Sequence, residues 1–117
     1  MESRSVRGEI VLPTSELPAK PVDVVIQVED VSRADAPSTV ISQQRQEGVS
    51  LRPGGVLPFA VEVPADLVDE RRSYSLRVHI DVSGSGEVET GDLVSTESYP
   101  VLTRGHGTQS RVRVKRV

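Results

Sequence analysis

Apolar residues recur at every second position along much of this chain, and that spacing dictates which side chains can share a face. From Tyr74 to Val82, residues Tyr74, Leu76, Val78, Ile80 and Val82 fall on one side of an extended strand. Ser75, Arg77, His79 and Asp81 fall on the other side, where they are expected to meet water. A helix, with about 3.6 residues per turn, would scatter the same residues around its axis. The rule repeats in Val22, Val24, Ile26 and Val28, opposed by Asp23, Val25, Gln27 and Glu29. It repeats again in Phe59, Val61 and Val63, in Val112 and Val114 between Arg111, Arg113 and Lys115, and in Val6, Gly8 and Ile10 between Arg7 and Glu9.

Proline and glycine fall between these segments more often than within them, as turns between short antiparallel strands require. Pro13, Pro18 and Pro21 separate the first two strands, and Asp35-Ala36-Pro37 turns the second into a third over about 39–46. Pro53-Gly54-Gly55 precedes the strand around Phe59, Gly84-Ser85-Gly86 reads as a loop tip, and the segment from Leu93 to Tyr99 is expected to pair back. Pro64 and the acidic residues after it suit one short helical turn near 65–71. Several strands at intervals of about ten residues predict an all-β fold: one domain over 1–117, built as an antiparallel β-sandwich of about seven strands, immunoglobulin- or transthyretin-like, with a flexible start over 1–4. A closed barrel is disfavoured, because no glycine pattern for its corners is evident.

Composition removes several chemistries. The 117 residues contain no cysteine, so there is no disulfide, thiolate metal site or thiol nucleophile. Fourteen basic residues against seventeen acidic ones give a formal charge of -3, which does not suit a general nucleic-acid binder. The apolar run Val24-Val25-Ile26 is far short of the about 18–20 residues that cross a bilayer, so no membrane insertion is expected. Nor does an apolar stretch follow Met1-Glu2-Ser3-Arg4, which predicts a cytoplasmic chain as written, or a periplasmic or outer-membrane-associated one if an export signal was removed.

No catalytic, cofactor or metal site is expected. His79 sits on the polar side of its strand and His106 in a glycine loop, short of the three protein ligands of a catalytic zinc. Glu87, Glu89 and Asp92 read as an acidic loop tip whose spacing is not that of a calcium-binding hand. The three aromatic residues, Phe59, Tyr74 and Tyr99, are too few for a sugar or base platform and are expected in the core or at a corner. Charge is segregated: the ionised groups from Asp81 to Glu97 are all acidic, whereas those from Arg104 to Arg116 are all basic. Neighbouring strands could pair these two segments, at about 0.2–1 kcal/mol per facing pair. The sharper alternative is that the basic strand from Ser110 to Val117 is a sheet edge, where Arg111, Arg113, Lys115 and Arg116 meet an acidic partner that adds a strand of its own.

The most distinctive run is Asp30-Val31-Ser32-Arg33-Ala34-Asp35-Ala36-Pro37, followed by Val40-Ile41-Ser42-Gln43-Gln44. Asp30, Ser32 and Asp35 can bond nearby main-chain amides, which predicts an Asx-type connection. With Leu57-Pro58-Phe59, Tyr74-Ser75-Leu76-Arg77 and Tyr99-Pro100-Val101-Leu102-Thr103-Arg104-Gly105, this run resembles the YbaY/YscW type of lipoprotein, the type III secretion system lipoprotein chaperones. The resemblance covers about 6–117 and marks Asp30, Ser32, Arg33, Asp35, Tyr99 and Pro100 as structural motif residues. It implies a small β-sandwich of the pilotin kind, which helps a secretin reach and assemble in the outer membrane, with a protein or peptide partner, no catalytic residues and no cofactor. The cysteine through which such lipoproteins are anchored is not among these residues. A small-ligand or carbohydrate-binding β-sandwich is the alternative.

Overall fold

The computed structural model describes residues 2–33 and 35–117, so expectations for Met1 and for Ala34 within the motif run lie outside the described residues. The strands are β1 (Ser3–Val11), β2 (Val22–Asp30), β3 (Thr39–Val49), β4 (Val56–Pro64), β5 (Tyr74–Asp81), β6 (Leu93–Ser95), β7 (Pro100–Val101) and β8 (Gln109–Arg116). The helical turn predicted near 65–71 is a single 3-10 turn over Ala65–Leu67. All-β architecture is therefore as expected, with eight strands rather than seven and a third strand that runs on to Val49.

The sandwich expectation needs correction. The strands follow the order β3-β2-β5-β6-β8-β1-β4 in one continuous, nearly closed, barrel-like sheet, with β7 alongside β5. The cause is β8, which changes partner part-way along its length. Gln109–Arg113 pair in parallel with Arg7–Val11 of β1, and Val114–Arg116 pair antiparallel with Ser95–Leu93 of β6. What would have been two stacked sheets are thereby joined edge to edge, and the sheet is not purely antiparallel.

The inward positions are those that the two-residue period selects. Val6, Ile10, Val24, Ile26, Val28, Val61, Val78, Ile80 and Val112 are all fully buried in one core. Burying a side chain of this size contributes about 1.5–3 kcal/mol, so the valine faces supply the main driving force for closure. Phe59 and Tyr74 are buried in this core, and Tyr99 packs half-buried against it. The polar side of β5 departs from expectation: Arg77 is exposed, but Ser75 and Asp81 are buried because β7 and the loop after β5 cover them.

One glycine permits the crossing of β8 over β1. Gly8 lies on the inward face, and a Cβ there would sit 1.8 Å from the Ser110 carbonyl oxygen and 2.9 Å from the Phe59 ring. No side chain fits that space, so Gly8 is the corner glycine that the sequence pattern did not reveal. Gly8→Ala is expected to lower stability by about 1–3 kcal/mol in urea unfolding, the usual cost of overpacking. Gly107→Ala, where a Cβ meets open space, should stay within about 0.5 kcal/mol of the parent. Equal stability of the two variants would contradict the crossing as described.

Candidate interaction surface

On β8 the two-residue alternation that buries Val112 and Val114 turns Arg111, Arg113 and Lys115 outward. The parallel pairing with β1 sets Arg111 beside Glu9 and Arg113 beside Val11, and Arg7 lies one step away, opposite Gln109. An open groove of about 500 Å³ follows this junction, lined by Arg7, Gly8, Glu9, Gln109, Ser110 and Arg111. Among the described residues, no carboxylate lies within ion-pair distance of Arg7, Arg111, Arg113 or Lys115. Arg116 is set apart from them: its guanidinium is 2.8 Å from Glu16. Three of the four cations nominated on β8 therefore form a row, Arg116 does not join it, and Arg7 extends it. Arg7 could not be found from spacing, because only the register between β1 and β8 brings it there.

β8 is not an open edge along its whole length: β1 pairs with Gln109–Arg113 on one flank and β6 with Val114–Arg116 on the other. Where β6 ends, Tyr99 takes over: its hydroxyl accepts the Arg113 amide at 2.9 Å. The acidic and basic segments are adjacent through β6 and β8, as anticipated, yet no ion pair joins them among the described residues. Leu93, Val94 and Ser95 are what β6 sets opposite β8, while Glu87, Glu89 and Asp92 lie in the loop before it, Asp81 at the end of β5 and Glu97 after β6.

The motif run builds a connection much as its residues predict. Asp30 accepts the Ser32 amide at 3.0 Å and the Ser32 hydroxyl at 2.6 Å, and Ser32 Oγ in turn accepts the Ser73 amide at 2.9 Å. Arg72 closes on the other Asp30 oxygen at 2.8 Å. Burial pushes the Asp30 carboxyl up, but the Ser32 donors and the Arg72 guanidinium outweigh it and hold it below the usual range. The Arg33 carbonyl accepts the Ala36 amide, and Asp35 is exposed. Tyr99 donates its amide to Ser75 Oγ at 3.0 Å, and Pro100 pairs with Ser75 in β7. These residues fasten β2, β5 and β7 together at one end of the barrel.

His79, Asp81 and Asp92 bring ligand-type atoms within 4.8 Å of one another. Every carboxylate oxygen there is already engaged. Asp81 accepts the amides of Gly84 and Gly86 at 2.9 Å and the Ser83 hydroxyl at 3.1 Å. Asp92, with no exposure at all, accepts the amides of Val82 and Ser83 at 2.9 Å, the Glu89 amide at 3.1 Å and His79 Nε2 at 2.8 Å. The pair shapes the loop 82–92 from within. Asp92 is thus not part of an acidic loop tip, and His79 is held by a buried carboxylate rather than standing in solvent. No local signal marks this, because it depends on β6 pairing with β5 at His79 and Ile80.

The sequence profile of the type III secretion system lipoprotein chaperone (YscW) family matches residues 1–114. The chain belongs to this family. Among solved structures, it is similar to an alternative pilotin from the type II secretion system of Vibrio cholerae, with a TM-score of 0.78 and 23% identity over 99% of this chain and 98% of that one. That likeness is one of fold. No curated protein matches the chain. In this YscW-family chain no helix among the described residues is long and apolar enough to cross a membrane, and the β1–β8 cation row is a surface whose four cations make no ion pair among those residues.

The Asp92 cluster yields a pH prediction. Burial raises the Asp92 carboxyl, but the His79 bond and the amides of Ser83, Glu89 and Val82 together hold it below its ordinary 3.8. A carboxyl depressed in the folded state contributes stability above its unfolded pKa and loses it as pH falls through the folded value, so the window lies below about pH 4. Asp92→Asn turns one acceptor into a donor facing donors, and at pH 7 it should cost about 1–3 kcal/mol in denaturant unfolding. The gap to the parent should narrow below about pH 4, where the parent's own carboxyl protonates. A gap that is constant with pH would contradict this role for Asp92.

Proposed function

We propose that this YscW-family domain, spanning 1–117, is a non-enzymatic, chaperone-like binder of a secretion-system protein, and that its partner lays an acidic segment along the β1–β8 cation row. The observation that carries the reading is a row of cations, Arg7, Arg111, Arg113 and Lys115, on one face of a chaperone-family chain, with Glu9 the acid set beside it in register and no ion pair to any of the four among the described residues. Exposed cations of this kind raise encounter rates and select against basic partners more than they add affinity. A pilotin-like role makes the outer-membrane secretin the natural partner and the periplasmic side of that membrane the place of action. The proposed contact is through the outward side chains of β8 rather than by strand addition at Ser110–Val117, since β1 and β6 each take up part of that strand's main-chain edges.

The test is a titration of the purified secretin of the same bacterium into the parent and into Arg111→Glu/Arg113→Glu. At about 1 kcal/mol per exposed pair, the variant should bind roughly tenfold or more weakly at low salt. Affinity of the parent should fall as salt rises from 50 to 300 mM, in line with a screening length of about 10 Å near 0.1 M. The melting temperature should stay within a few degrees, since neither side chain joins an internal ion pair. Unchanged affinity would remove the cation row from the mechanism.

A further inference from the structure

The two ends of the sheet, β3 and β4, lie side by side, yet no main-chain ladder joins them among the described residues. Side chains close the gap instead. Ser42 Oγ donates to the Glu62 carbonyl at 2.5 Å, the Ala60 amide donates to Gln44 Oε1 at 3.3 Å, and Gln46 Nε2 donates to the Pro58 carbonyl at 3.0 Å. A fourth bond, Gln46 Nε2 to Gln44 Oε1 at 3.1 Å, links two of these rungs. The rungs step by two residues along each strand in opposite directions, which is the rhythm of an antiparallel edge.

These three side chains belong to the inward face of β3. Their neighbours across β2 are Val28, Ile26 and Val24, all fully buried. Inward polar residues on a terminal strand forgo hydrophobic burial, so their presence needs a reason. A glutamine side chain ends in the same donor and acceptor pair as a peptide group. Gln44 offers β4 a carbonyl where a neighbouring strand would offer one, and Gln46 and Ser42 offer hydrogens where it would offer N–H groups. Proline suits this edge as well: Pro58 lies opposite Glu9, and its missing N–H falls on the side away from β1, where no ladder bond is lost.

We propose that the β3–β4 seam is a slot for one extended polypeptide strand supplied by the secretion partner, with Ser42, Gln44 and Gln46 acting as placeholders for its main chain. The occupant is an extended segment with alternating apolar and polar residues. It presents a carbonyl to the Ala60 amide and N–H groups to the carbonyls of Pro58 and Glu62, and it turns its apolar side chains toward the core. Strands flanking an inserted one stand about 9.5 Å apart. Cα atoms of β3 and β4 approach within 8 Å, closer than two strands that flank a third, so the slot is closed as it stands and β3 must swing away from β4 to admit a strand. Two irregularities in the β2–β3 register, one next to Val28 and one beside Gly48 at φ +64°, give β3 the freedom to bend away. Such insertion draws on main-chain hydrogen bonds for affinity and on alternate side chains for selectivity.

The inference rests on the proposed secretin-binding reading, and one experiment separates the two. The chain has no native cysteine, so Gln43→Cys/Ala60→Cys introduces the only thiols, on the outward side of the seam. A short thiol-to-thiol reagent such as dibromobimane then ties β3 to β4. The probe is the purified secretin of the same bacterium, titrated into the parent, the unbridged pair and the bridged pair. The expected result is binding by the first two and at least tenfold weaker binding by the bridged pair, whose melting temperature is equal or higher. Bridged protein that binds within twofold of the unbridged pair overturns the slot while leaving the secretin reading intact. A parent chain that binds no secretin overturns both.

Discussion

The change of partner along β8 is the constraint on which the rest of the structure depends. Because Gln109–Arg113 pair with β1 and Val114–Arg116 with β6, the last strand of the chain stitches the first strand to the middle of the sheet. The contact is of long range, bringing the two ends of the sequence together, and it can form only where Gly8 leaves room for the Ser110 carbonyl. The consequences spread outward from that junction. Valine faces from both halves of the sheet enclose one core, Arg7 joins the β8 cations, and the remaining gap is confined to β3 and β4.

Closure elsewhere explains why that one gap is filled by side chains. A ladder between β3 and β4 would complete the barrel, and core-facing valines in place of Ser42, Gln44 and Gln46 would bury more apolar surface. Polar rungs on the inward face satisfy the β4 edge without fusing it to β3, and they deny unrelated strands an apolar edge on which to aggregate. The cation row and the seam are thus two different surfaces of one chaperone-family domain, the first suited to long-range attraction and the second to short-range main-chain recognition.

Much of this was legible in the residues themselves. The two-residue alternation named the buried side chains of β2, β4, β5 and β8, because a pleated strand separates its faces whatever the topology. Asp30 and Ser32 announced their connection, since Asx chemistry is local. What stayed hidden was set by register between segments distant in sequence. A glycine at position 8 looks like any other until β8 passes over it, Arg7 is an ordinary charged residue until β1 meets β8, and Asp92 reads as part of an acidic loop until β5 and β6 pair and draw it inside. Ser42, Gln44 and Gln46 alternate like an ordinary polar face, and only the position of Val24, Ile26 and Val28 across from them shows that this face points inward. The sandwich expectation failed for the same reason: strand count and spacing do not say whether the final strand ends one sheet or joins two.

The most direct measurement is residue-resolved amide hydrogen exchange on the folded protein. If β8 is an interior strand and β3–β4 the sole seam among the described residues, the amides of Val112 and Val114 should exchange among the slowest in the chain, at rates set by global unfolding. The Ala60 amide, held only by the Gln44 side chain, should exchange well ahead of them. Fast exchange along β8, together with Ala60 protected to the level of the core, would place the open edge at β8 and contradict the account.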